Sequence, residues 1–339
     1  MRDARPGGRV GRGALTVADG VLGAHAPPRA RRPVLGGLAG AVLIGVVVFL
    51  CLAPFLLILG ISFGEKIEGA AWRPALDPSN YARFVVGADW PQTATTLHLE
   101  RLGWSLLYAV AASVLAVLTA FPFAYALTRL SRRAQTVWLV VLLSSLSLSE
   151  VFVVMGWDVL LSNRSGLPMV LREIGVTAWL KEAGWFDTLR DWGLANPRDL
   201  KFKTSTFATV LTMSYLVWPY AVILLYPSLS RLDPALLEAA RTMGARPRAV
   251  IRTVVIPSVR LPLIGATLLL FVFLLGTYVT VTVFAAPAQH TLAVSIYEAV
   301  RGSTLNAPFG AAQSVVLLVV AGGLLLLSRA LVSRSEARR

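Results

Sequence analysis

The chain has 339 residues, of which 56% are hydrophobic and only 15% charged, and its mean hydropathy is +0.67. A soluble domain usually carries about 25% charged residues, so a pair of soluble domains is excluded; the wealth of apolar material excludes a disordered chain. The net charge of +14, from 32 basic and 18 acidic residues, is therefore read against a membrane, where the placement of loop Lys and Arg sets topology.

In chain order, residues 1–33 form an Arg-rich arm (Arg2, Arg5, Arg9, Arg12, Arg29, Arg31, Arg32) with Gly and Pro between, read as a disordered basic cytoplasmic tail. Its charge suits a lipid surface, and it lacks the aromatic residues that would support nucleic-acid binding. A helix crosses the hydrocarbon core in about 20 residues. Apolar stretches of that length run at about 34–60, 103–127, 136–161, 207–229, 259–286 and 309–331, which predicts an all-α integral membrane protein, a six-span helical bundle over 34–331 with a short tail at 332–339. The first stretch is too long, and too far from the start, for a cleaved signal peptide. It holds the one cysteine, Cys51, so no intrachain disulfide forms. No clear internal repeat is found.

Six spans place both termini on one side. With the tail inside, the inner segments hold 20 basic and 5 acidic residues and the outer ones 12 and 11. The positive-inside rule selects this orientation, with both termini cytoplasmic. Two outer segments are long. Residues 61–102, with Trp72, Pro74, Pro78, Tyr81 and Trp90, suit an interfacial or partly folded cap. Residues 162–206, with Leu171, Trp179, Leu180, Trp185, Phe186, Leu189 and Trp192 among alternating charges, suit a short amphipathic helix on the outer leaflet or over the bundle. Such a surface could also dock an external partner.

Glu150 and Asp158 fall within the third apolar stretch, Ser147 sharing a face with Glu150. Carboxylates at membrane depth are expensive and face a cavity or a partner. With no intramembrane Lys or Arg to pair them, they favour a cationic solute, to which Trp157, Tyr215, Trp218 and Tyr278 would add cation–π contacts. The competing readings are a helix–helix hydrogen bond for Glu150, an interfacial place for Asp158, and core packing or interfacial anchoring for the aromatics.

No G-x-x-x-x-G-K-[ST] occurs, so the chain has no P-loop for nucleotide phosphates, and no H-E-x-x-H or cysteine cluster marks a metal site. Gly60-Ile61-Ser62-Phe63-Gly64 matches G-x-S-x-G in letters only, because a nucleophile elbow needs a preceding strand.

The inner loop 230–258 is the most informative segment. Asp233 is a good N-cap and Pro234 suits the first helical position. Leu236, Leu237, Ala240 and Met243 line one flank of the predicted helix 234–243, and Gly244 suits the left-handed residue that ends it. Pro247 starts a second helix, and Pro257 marks the turn into the next span.

This loop resembles the cytoplasmic loop of permease subunits of binding-protein-dependent type I ABC importers. Glu238-Ala239-Ala240, Gly244 and Pro257 match the family pattern at its spacing, with Val254 and Ile256 as conservative replacements. Trp72 to Tyr81 and Ala120 to Leu127 extend the likeness. Trp157 to Asn163 with Gly166, Trp218-Pro219-Tyr220 and Phe271 to Tyr278 resemble the spermidine/putrescine branch, in part shared with the iron, thiamine and phosphonate branches. The resemblance implies that Asp233, Glu238, Ala239, Ala240, Gly244 and Pro257 form a coupling element in a groove of a separate cytoplasmic ABC ATPase dimer, which binds the ATP and Mg. It further implies a second permease subunit, related but distinct, an extracytoplasmic solute-binding protein and a bacterial plasma membrane. The solute would be a polyamine or other small cation; alternatives are another importer solute (iron, thiamine, phosphonate or sugar), an ion-gradient-driven transporter, or a membrane anchor for a signalling ATPase.

Overall fold

The structure is a computed structural model that describes residues 34–67, 72–87, 92–302 and 305–337, with side chains described over 40–330 of these. The basic arm 1–33, Trp90 and residues 338–339 lie outside the described residues. The chain forms two compact units, 1–54 and 55–339. In the first, residues 34–54 belong to helix α1 (Val34–Ser62), whose large apolar side chains from Val42 to Leu52 are exposed, as suits a helix sized for lipid.

The second unit is built on α3 (Leu97–Leu127), α9 (Thr206–Ser230) and α13 (Arg260–Leu275). Alanine recurs on α3 at 109, 112, 116, 120 and 124, the three- and four-residue spacing of one helix face, and all five are fully buried. Lipid offers helices no hydrophobic drive to associate, so small residues that let backbones approach are what packs them. Against this stripe lie Met213, Val217, Ala221 and Leu225 of α9 and Ala266, Leu270 and Leu274 of α13. The approach is close enough that the Ser214 hydroxyl of α9 donates to the Ala112 carbonyl of α3 at 3.2 Å. α16 (Ala307–Ala337) is the last long helix and runs on through most of the expected 332–339 tail. Alongside it, α15 (Leu292–Arg301) and α2 (Ser79–Val86) share a smaller cluster of Phe84, Leu292, Ala299 and Phe309.

Among the described residues, four helices are long and apolar enough to cross a membrane, and six spans result if each of two bent pairs counts as one. The expected continuous stretch 136–161 is one such pair. α4 (Arg132–Ser145) and α5 (Glu150–Leu160) are separated by Leu146–Ser149 and bent by 95°. Ser144 and Ser145 turn their hydroxyls back onto the Val140 and Leu142 carbonyls at 2.9 and 2.7 Å, and Ser149 takes an extended N-cap conformation. Such side-chain bonds compete with the helical ladder. The expected stretch 259–286 is likewise interrupted: α13 ends at Leu275, and α14 (Val279–Phe284) starts after Gly276, Thr277 and Tyr278.

Between the α1 end and α3, Asn80 of α2 donates to the carbonyls of Ser62 and Gly64 at 3.1 and 3.0 Å. The Ser79 hydroxyl and amide hold the Asp77 carboxyl below the usual carboxylate range. Ser62 ends a helix, is fully buried, donates to the Leu59 carbonyl at 2.7 Å and meets the Tyr81 hydroxyl at 2.7 Å.

The 162–206 connection is not one amphipathic helix but three: α6 (Leu167–Glu173), α7 (Val176–Glu182) and α8 (Trp185–Asp191). They are a nine-residue repeat that the reading above missed. Leu171-Arg172-Glu173, Leu180-Lys181-Glu182 and Leu189-Arg190-Asp191 occupy the same register, and each is followed two positions on by a glycine: Gly175, Gly184, Gly193. All three glycines have left-handed φ, between 73° and 82°, which an L side chain enters at a cost. The three leucines pack with Phe186, Ala195, Leu200 and Phe202 into a satellite cluster, from which Phe202 also packs against Val154, Leu161, Ala208 and Phe284, while Trp179, Trp185 and Trp192 stay exposed.

Candidate functional site

The 230–258 loop folds into α10 (Pro234–Thr242), α11 (Pro247–Val250), a π-helical turn (Ile251–Val255) and α12 (Ile256–Ser258). The Asp233 carboxylate caps α10 by accepting from the Ala235 amide at 2.9 Å. At the other end, Gly244 (φ +78°) donates to the Arg241 carbonyl at 2.9 Å and Ala245 to the Ala240 carbonyl at 3.1 Å. That pair of bonds is a Schellman motif.

The predicted apolar flank of α10 is divided. Leu237 and Ala240 are each 5% exposed and belong to the main core, whereas Leu236 (53%) and Met243 (82%) stand out with Glu238 and Ala239. A hundred degrees per residue separates these faces, so one turn both grips the bundle and presents a ridge. Pro257 lies in α12, where its missing amide cannot serve the preceding turn; the wider π turn sits just before it. From there the chain bends by 70° into α13.

The candidate solute residues divide. Glu150 is not mid-helix: it opens α5 just after the break, and Ser147 lies within the interruption. Glu150 Oε1 accepts from the Thr280 amide at 3.1 Å and the Thr280 hydroxyl at 2.9 Å, tying the α4–α5 break to the first turn of α14. The helix–helix hydrogen bond weighed above is therefore present. Glu150 also borders a cavity of about 120 Å³, lined by Ser145, Val153, Tyr215, Pro219, Tyr220 and Phe273 among others. Tyr215 and Trp157 meet edge to face at 5.4 Å and border an adjoining groove with Phe152 and Gly156.

The remaining three lie elsewhere. Asp158 is not unpaired, because Lys203 reaches it at 2.5 Å. The repeat cap carries the chain back to the end of α5, which sequence order alone could not reveal. Trp218 packs on Phe123 at 4.9 Å at the margin of the core. Tyr278 stacks on Tyr297 at 4.6 Å. Neither lines the Glu150 cavity. Thr280 and Lys203 escaped the sequence reading, and Tyr220 entered it only as part of the family likeness, because each matters through contacts distant in the chain.

The chain is 26% identical over 284 residues to the spermidine/putrescine transport system permease protein PotB of Escherichia coli (strain K12), covering 84% of this chain and 93% of that protein. Its fold matches a crystal structure of a bacterial ABC transporter involved in the import of the acidic polysaccharide alginate, at a TM-score of 0.60 and 15% identity over 88% of this chain and 95% of the other. In sequence and in fold the chain is similar to permease subunits of ABC importers. A bacterial alginate ABC transporter in complex with a pentasaccharide-bound periplasmic protein matches at a TM-score of 0.56 and 14% identity over 86% and 92% of the two chains. No protein-family model matches the sequence.

Proposed function

We propose that this permease forms half of a pathway for a polyamine or other small cation and is driven by a separate cytoplasmic ABC ATPase dimer that binds ATP and Mg. The α10 ridge carries the reading: Leu236, Glu238, Ala239 and Met243 project beside Leu237 and Ala240, which are rooted in the span core. A ridge so rooted can pass a partner's displacement to the spans. Movement then means switching between two packings of rigid helices, biased by the partner's preference for one of them.

The solute assignment rests on Glu150, with Tyr215 and Trp157 beside it, and is supported by the relative that is named for spermidine and putrescine. Asp158 contributes less than its sequence position implied, since Lys203 offsets its charge. The other half of the pathway is a second, related permease chain. An external binding protein delivers the solute, a reading supported by the matched complex, which holds a pentasaccharide-bound periplasmic protein. The protein resides in a bacterial plasma membrane with both termini in the cytoplasm, the side that gathers the basic loops.

Glu238→Ala in vesicles holding the complete transporter is expected to sustain ATP hydrolysis while ATP-driven uptake falls. Uptake at the unsubstituted rate would sink the coupling role.

A further inference from the structure

The α4–α5 break and the gap between α13 and α14 meet at a single carboxylate oxygen. The α4–α5 break delivers Glu150 at the first turn of α5, and the α13–α14 break delivers Thr280 at the second residue of α14. Thr280 is fully buried and gives Glu150 Oε1 both its donors, amide and hydroxyl. Among the described residues, no Lys, Arg or His pairs with Glu150, and Oε2 has no recorded hydrogen-bond partner. The residue borders the small cavity beside Tyr215 and Tyr220.

Two donors on one oxygen fix the carboxylate plane, because rotation of the Glu150 side chain would break both bonds. Charge-assisted hydrogen bonds of this kind are roughly twice as strong as neutral ones.

We propose that Thr280 is a positioning residue for the solute pathway: it clamps Oε1 of Glu150 and so presents Oε2 to an ammonium group of the solute. The proposal rests on the reading of Glu150 as a pathway residue. A Glu150 held by one oxygen keeps its other oxygen in a constant place, which a freely rotating side chain would not. Serine in place of Thr280 preserves both donors, valine preserves only the amide, and the two hold nearly the same volume as threonine or less.

The test uses the complete transporter in vesicles with radiolabelled spermidine and its loaded binding protein, and reads spermidine moved per ATP hydrolysed. A variant that merely loosens the fold lowers transport and hydrolysis together and leaves this ratio alone. Thr280→Val is expected to lower the ratio about tenfold, the scale of one hydrogen bond to a charged group, with half-saturation by the loaded binding protein unchanged. Thr280→Ser is expected to stay within about twofold of the unsubstituted chain. If Thr280→Val does not accumulate, Thr280→Ala is read by the same ratio. An unchanged ratio in the variant lacking the hydroxyl, or no rescue by serine, overturns the proposal. Glu150→Gln separates the two levels. A lowered ratio there with an intact ratio in Thr280→Val removes only the clamp, whereas an unchanged ratio in Glu150→Gln removes the pathway reading itself.

Discussion

The two ends of α9 carry segments made from the same parts and put to different use. The three short helices of the 162–206 connection and α10 of the 230–258 loop are each closed by a glycine with φ between 73° and 82°. In the connection, Leu171, Leu180, Leu189 and Phe186 close on one another as a satellite cluster. In the loop, Leu237, Ala240, Val250 and Val255 are surrendered to the main core. A segment with its own core can change without disturbing the spans; a segment whose core is the spans cannot. Autonomy and coupling are thus decided by where a few apolar side chains point, not by secondary structure.

The largest expected effect comes from the glycines, which sharpen this comparison. A Cβ at Gly244 or Gly184 meets nothing within 4 Å, so in both cases the cost is backbone strain of about 1–2 kcal/mol. Gly244→Val is expected to cut ATP-driven uptake by at least about tenfold, and Gly184→Ala to leave it within about twofold. Equal losses in the two would erase the distinction.

Truncating the anchors comes next. Leu237→Ala removes a buried side chain from the main core and is expected to cost about 2 kcal/mol or more, lowering the thermal midpoint of the purified permease. Phe186→Ala is expected to blue- or red-shift the fluorescence of the cap tryptophans while that midpoint stays put, because the satellite cluster melts alone. A joint fall of the midpoint would show that the cap is part of the main cooperative unit.

The smallest effect lies where the cap touches α5. Both partners of the Lys203–Asp158 pair are about one-third exposed, and such pairs contribute at most about 1 kcal/mol. A double-mutant cycle on Lys203→Ala and Asp158→Ala, read by thermal unfolding, is expected to give a coupling energy below about 1 kcal/mol.

What was legible in the sequence was what local chemistry controls. Asp233, Pro234 and Gly244 announce the bounds of α10 because capping is settled within one turn. The long apolar helices announce themselves by length. The α4–α5 break did not, since apolar composition continues through Leu146 and Leu148 and serines are also ordinary neighbours in membrane helices. The Glu150–Thr280 bonds span 130 positions, and no pattern near either residue points to the other. The nine-residue repeat is a different matter: Leu-Arg-Glu, Leu-Lys-Glu and Leu-Arg-Asp at fixed spacing were open to inspection, but at far shorter period than repeats that build whole spans.

The alanine face of α3 has a mechanical consequence. Methyl groups have no rotamers to turn, so the α3 face of its seam with α9 has nothing soft to absorb a shove. On the α3 side a displacement is met by backbone and methyl groups, with no side chains that can turn to take it up. Bulkier side chains at that seam would act as cushions, and they are absent from the stripe.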